Sequence, residues 1–180
     1  MPPLSTTDFS IEKTELSPIA QARMDDLASS WKMLLYFLKN LPSAIWWGLR
    51  VKSLSATRCE TTIPFSWRTQ NPFRSIYFAA LAGAGELSTG LLCNIAMAGK
   101  GKISMLVLEQ KAEFVKKADT VTTFTCEQGM EVNRAVSKAI EANEPQVITM
   151  KSTGRNASGE IVCHIYITWT FKAKSTIYVY

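Results

Sequence analysis

The chain has 180 residues, 47% hydrophobic and 19% charged, with no low-complexity block, a globular composition with room for one domain rather than that of a wholly disordered or fibrous chain. A net charge of +5 suits an anionic ligand, but Lys and Arg are scattered and match no nucleic-acid module, so no nucleic-acid partner is expected. Four dispersed cysteines without CxxC spacing and a single histidine, His164, give no metal-ligand pattern; free thiols and a cytoplasmic setting are expected, with no cofactor.

Residues 1–16 read as a flexible arm without the basic start and apolar core of a signal peptide. Ser17-Pro18 is a helix start, a Ser cap followed by Pro at the first helical position. Met24, Leu27, Ala28, Trp31, Leu34, Leu35 and Leu38 recur at helical spacing and predict one amphipathic N-terminal helix over 17–41. Ile45-Trp46-Trp47-Gly48 is an aromatic cluster at a turn. Strand character then runs from Leu49 to Phe65, with a turn near Ser55-Ala56, and Asn71-Pro72 marks a turn before a long helix.

That helix is predicted from Phe73 or Ser75 to Ala98. Its Ala and Gly content suits close approach by an enclosing sheet. Strands follow over 103–115 and 120–126, then a helix over 129–143 with Met130, Val132, Val136, Ala139 and Ile140 as its apolar stripe. Residues 146–152 form a further strand, and Gly154 to Gly159 a hairpin loop. In the last strand Ile161, Cys163, Ile165, Ile167, Trp169 and Phe171 alternate with mostly polar residues, so one face must cover a core. The tail Ile177-Tyr-Val-Tyr180 matches no element. The pattern predicts an α+β fold, an antiparallel sheet of about six strands curled around the long helix, in a single domain over 17–180 with its core at 49–174.

Between Arg74 and Lys100 the only charge is Glu86. An ionised carboxylate among apolar neighbours costs several kcal/mol unless it is paired, hydrogen-bonded or open to a wet cleft. The run is long enough to cross a membrane, but the central Glu86, four glycines and several small polar residues argue against a span. Glu86 is therefore either a structural hydrogen-bond acceptor or a chemical group.

Asn71, the helix from Ser75 and Glu86 on it resemble the hotdog-fold acyl-CoA thioesterases, and the helix inserted at 129–143 resembles the DUF4442-type relatives. The resemblance covers about residues 49–174. It implies an acyl-CoA thioesterase, a homodimer or tetramer with the site between subunits, Glu86 as base or nucleophile, and Asn71 as its positioning partner. The two lie 15 positions apart, which suits the family's Asn and acid. The family's His-Gly-Gly is absent: Tyr77 stands where the His would, followed by Phe78. These two are the expected oxyanion and substrate-positioning residues, with the Phe78 N–H as donor because helix N-termini present unpaired N–H groups. Arg68 and Arg74, with Lys100, Lys102, Lys116 and Lys117, are the candidates for coenzyme A phosphates.

Each residue also has a plainer role: Asn71 as a turn residue, Tyr77 and Trp31, Trp46 and Trp47 as packing, and Glu109 and Glu113 as solvated charges. A Cys163–His164 nucleophile is disfavoured because adjacent strand residues face opposite ways. The rival function is a non-catalytic hotdog module that holds an acyl-CoA or fatty acyl ligand, which the missing His-Gly-Gly favours.

Overall fold

The computed structural model describes residues 16–174. The arm expected over 1–16, except Leu16, and the 177–180 tail lie outside the described residues. The chain enters on helix α1 (Pro18–Ala28), where the Ser17 hydroxyl accepts from the Ala20 N–H at 3.2 Å and Pro18 takes the first helical position. The one helix expected over 17–41 is in fact two. Ser29 is extended, with ψ of 114°, and breaks the run before α2 (Ser30–Asn40). Pro42, just past the predicted helix end at 41, starts a short third one, α3 (Pro42–Trp47), which ends on Gly48 at φ 71°. The aromatic cluster read as a turn is thus mostly helical.

The face of α2 is a second correction. Met33 and Phe37 are buried, whereas Trp31, Leu34, Leu35 and Leu38, the expected inner stripe, are exposed. Helix α2 is apolar around most of its circumference, so periodicity did not select the inward side.

Strands β1 (Arg50–Leu54) and β2 (Cys59–Ile63) form the expected hairpin. Then come the central helix α4 (Phe78–Met97), β3 (Ile103–Phe114), β4 (Thr122–Cys126), α5 (Gly129–Glu141), β5 (Gln146–Arg155) and β6 (Ile161–Ala173). All strand pairings are antiparallel, in the order β1-β2-β4-β5-β6-β3. The predicted alternation of β6 holds from Cys163 onward, where Cys163, Ile165, Ile167, Trp169 and Phe171 are buried, but at its start Val162 is buried and Ile161, expected inside, is half-buried.

The sheet curls around α4. Closest approach is at Gly85, where an added Cβ would lie 2.7 Å from Ile165 Cβ, so only glycine fits between helix and strand. Hydroxyls tie the layers together in the dry core. Thr61 donates to the Ala84 carbonyl at 2.8 Å, Ser88 Oγ lies 2.7 Å from Ser152 Oγ, and the Trp169 indole N–H donates to Thr89 Oγ1 at 3.0 Å. By length and composition α4 could cross a membrane, but 67% of its most apolar stretch is buried within the protein, as in the core helix of a globular domain. Helix α5 packs beside α4, and Lys100, just past the end of α4, donates to Asn133 Oδ1 at 2.7 Å and Ser137 Oγ at 2.9 Å on it.

Candidate active site

The loop before α4 folds around Asn71. Its side-chain oxygen accepts three hydrogen bonds, from the Phe73 N–H at 3.0 Å, the Ser75 N–H at 3.2 Å and the Ser75 hydroxyl at 3.2 Å. With all of these as donors, the oxygen and nitrogen of the amide are distinguished by the network itself. The Nδ2 group donates to no described residue and remains available to a ligand. Asn71 is thus the turn residue that its plain reading expects, and the turn fixes how its amide is presented.

Helix α4 begins at Phe78 with Tyr77 as its cap and no side-chain capping bond. The Tyr77 N–H is used, donating to the Thr69 carbonyl at 2.7 Å, while Ala80 and Leu81 both donate to the Tyr77 carbonyl. No described acceptor meets the N–H groups of Phe78 or Ala79, the orphan donors of a helix start. Asn71, Ser75, Ile76, Phe78 and Leu81 line a cleft of about 350 Å³, whose opposite wall is Phe114 to Ala118 at the end of β3 and just beyond. Asn71 and Phe78, the first residue of α4, therefore line one recess, and Ala79 is not part of its lining.

Glu86 lies eight residues (86 − 78) along α4 from Phe78, about 12 Å further down the axis at 1.5 Å per residue. It does not line the Asn71 cleft of its own chain. It belongs to the half-buried stripe of α4, with Ala79, Gly83, Asn94 and Met97, that is not sealed against the sheet. The stripe is bounded by Trp47, whose ring lies 2.9 Å from where a Gly83 Cβ would be, and by Arg23, which donates to Asn94 Oδ1 at 3.3 Å. The Glu86 carboxylate accepts no hydrogen bond and makes no ion pair among the described residues, so the structural-acceptor role has no partner there. Burial raises its pKa above the ordinary carboxylate range.

The remaining expected residues are dispersed. Tyr77 is exposed and its ring meets Phe78 edge-on at 4.8 Å, without lining the cleft. Arg68 and Arg74 are exposed and lie outside the cleft lining; Arg74 has a left-handed backbone, φ 57°. The cations on the cleft wall are Lys116 and Lys117, and Lys116 also pairs with Glu160 at 2.6 Å. Both are among the cations named from the sequence, and it is the return of the chain past β3 that brings them to Asn71. Lys100 is occupied by α5. His164 sits across the sheet from the core with Nδ1 3.2 Å from Thr153 Oγ1, while Cys163 beside it is fully buried. All four cysteines are free and buried.

A six-stranded antiparallel sheet wrapped around one small-residue helix is the hotdog fold. The chain belongs to the family described as Domain of unknown function (DUF4442), whose model matches residues 34–171. Solved structures of the same fold include PA5026 of Pseudomonas aeruginosa, a protein of unknown function and probable thioesterase, at 16% identity and TM-score 0.66 over 88% of this chain and 98% of that one. Thioesterase HI1161 of Haemophilus influenzae superimposes with TM-score 0.62 at 11% identity, covering 83% of this chain and 95% of that one. A protein of unknown function from Chlorobaculum tepidum gives TM-score 0.68 at 11% identity, over 87% and 95% respectively. No curated protein matches the sequence.

Proposed function

We propose that this protein is a thioesterase acting on an acyl-CoA-like thioester, at a site assembled from two copies of the chain. The observation that carries the reading is the half-buried carboxylate of Glu86, which has no hydrogen-bond or ion-pair partner among the described residues and whose pKa burial raises above the ordinary carboxylate range. The thioesterase names of fold relatives such as HI1161 support it.

In this reading the thioester carbonyl sits in the cleft lined by Asn71 and Phe78, where the Phe78 N–H and Asn71 Nδ2 receive the developing oxyanion. Glu86 of a second copy takes the proton from an attacking water as the C–O bond forms. The tetrahedral intermediate collapses with cleavage of the C–S bond, and the proton passes to the thiolate leaving group. Lys116 and Lys117 offer positive charge to coenzyme A phosphates at the cleft wall. The separation of Glu86 from the Asn71 cleft within one chain is why a second copy is invoked. The edge strand β3 supports pairing: it exposes Leu106, Val107 and Leu108, and an unpaired apolar edge is a template for another chain.

The test is thiol release from a panel of acyl-CoAs by the wild type and Glu86→Gln, with mass by analytical ultracentrifugation. Equal rates would remove Glu86 from the mechanism. Tight acyl-CoA binding without turnover would instead establish the ligand-holding module, which the phenyl ring of Phe78 in the cleft favours.

A further inference from the structure

Helix α2 turns its apolar stripe outward. Trp31, Leu34, Leu35 and Leu38 repeat at i, i+3, i+4 and i+7 and are 63%, 55%, 55% and 65% exposed. The opposite side of the helix, Met33 and Phe37, is already spent on the core, so no internal rotation can hide the stripe. Lys32 and Lys39 lie one turn-pair apart along one flank of it. Along the other flank a recess of about 330 Å³ opens between α2 and β1, lined by Trp31, Met33, Leu34, Phe37 and Val51, with Arg50 at its edge. Two more exposed indoles, Trp46 and Trp67, meet edge-on at 6.1 Å where α3 ends.

Charge selects the occupant. From Leu27 to Gly85 the chain carries seven cations, Lys32, Lys39, Arg50, Lys52, Arg58, Arg68 and Arg74, and one acid, Glu60. Glu60 is engaged by Lys52 at 3.5 Å and Arg58 at 2.7 Å. A second copy docked face to face through α2 would set Lys39 and Arg50, which flank the stripe and its recess, against their own counterparts, because a two-fold contact apposes like patches. An exposed aliphatic stripe with tryptophan, flanked by Lys39 and by Lys32, which also pairs with Asp26 at the end of α1, has the chemistry of a helix lying in a membrane interface. We propose that α2 docks this protein on anionic lipid bilayers, its stripe sunk among the acyl chains and Lys32 and Lys39 at headgroup level. The inference stands independently of the thioesterase reading, since it uses none of the residues assigned to that site.

The experiment is co-sedimentation of the full chain with sucrose-loaded vesicles of phosphatidylcholine alone or with about 30% phosphatidylserine. The wild type is expected to pellet with the anionic vesicles and to be released by high salt, leaving little bound to phosphatidylcholine alone. Leu35→Glu/Leu38→Glu is expected to weaken partitioning about a hundred-fold, and Lys39→Glu about ten-fold on anionic vesicles only. Circular dichroism and thermal unfolding check that both variants, altered only at exposed positions, keep the fold. Failure of the wild type to pellet, or equal partitioning of all three proteins, would overturn the proposal. So would a fall in oligomer mass for Leu35→Glu/Leu38→Glu without vesicle binding, because the stripe would then be an interface between copies.

Discussion

Gly90 makes room for Glu86: a Cβ at position 90 would lie 3.3 Å from Glu86 Oε1, with Trp169 Cζ2 at 3.6 Å on its other side. One helical turn below the carboxylate, the missing side chain lets the acid fold back against its own helix beside an indole. Glycine in a helix interior costs roughly 1 kcal/mol relative to alanine, so its presence here goes against local propensity.

Gly90→Ala is therefore expected to separate stability from activity. The added methyl gains helix propensity, and the flexible end of Glu86 can move aside by the few tenths of an ångström required. Unfolding temperature should hold or rise by about 2–4 °C, the shift of roughly 1 kcal/mol in a domain of this size. Thioester turnover should fall about ten-fold or more, since misplacing a reacting group by a fraction of an ångström is costly. Thermal unfolding and kcat measured on one preparation check both arms.

Glu86→Gln carries the pH prediction. Burial raises the folded-state pKa of Glu86 above its unfolded value. The stabilisation from holding it neutral is fully present below the unfolded pKa and is lost as pH rises through the folded one. The glutamine variant has no such titration, so its unfolding temperature should exceed that of the wild type by a margin that grows from acidic to neutral pH and then levels. In kinetics the base must be ionised. The wild-type kcat/KM should rise with pH through an apparent pKa above the ordinary carboxylate range, and the variant should run about 10²–10⁴-fold slower. A margin in unfolding temperature that does not change with pH would mean that Glu86 is ionised without penalty.

The outline of the fold was legible because its two defining elements are chemically one-sided. Ile161 to Phe171 alternates so regularly that one face had to be buried, and the helix around Glu86 is too small-sided and too uncharged to lie on a surface. The N-terminal helices were less legible. Between Ser30 and Asn40 apolar side chains point nearly all round, so tertiary packing alone chose Met33 and Phe37 over Trp31 and Leu35. Ser29 carried no visible breaking signal, yet its backbone is extended and α1 packs on α4 and β1. At the site, the spacing of Asn71 and Glu86 was readable. Their separation within one chain, and the approach of Lys116 and Lys117, depend on contacts between distant segments.

The thiols offer a test of whether water or a cysteine attacks the thioester. Burial pushes Cys126 up to about 11 and Cys163 up to about 12, and raises Cys59 and Cys93 as well. Thiolates are thus scarce as well as inaccessible at neutral pH. Native protein should react with none of its four cysteines on the timescale of an Ellman assay, and with all four in denaturant. Iodoacetamide should leave turnover intact. Inactivation that tracks one alkylated thiol would replace the water activated by Glu86 with a cysteine nucleophile.

Asn71 holds a turn and, in the proposed reaction, offers its Nδ2 group to the carbonyl, and two substitutions part these roles. In Asn71→Asp a carboxylate oxygen still accepts from Phe73 and Ser75, so the turn persists and the unfolding temperature should stay within a few degrees of wild type. The free amide donor, however, becomes an acceptor that repels the developing oxyanion. Turnover should drop about a hundred-fold, the scale seen when one oxyanion donor is lost. Asn71→Ala removes both functions, leaving two N–H groups and a hydroxyl without their acceptor at a cost of about 1–3 kcal/mol. Its activity should fall with its stability. If Asn71→Asp keeps full activity while Asn71→Ala loses it in step with unfolding, Asn71 serves the turn alone, and the oxyanion must be held by the start of α4 without it.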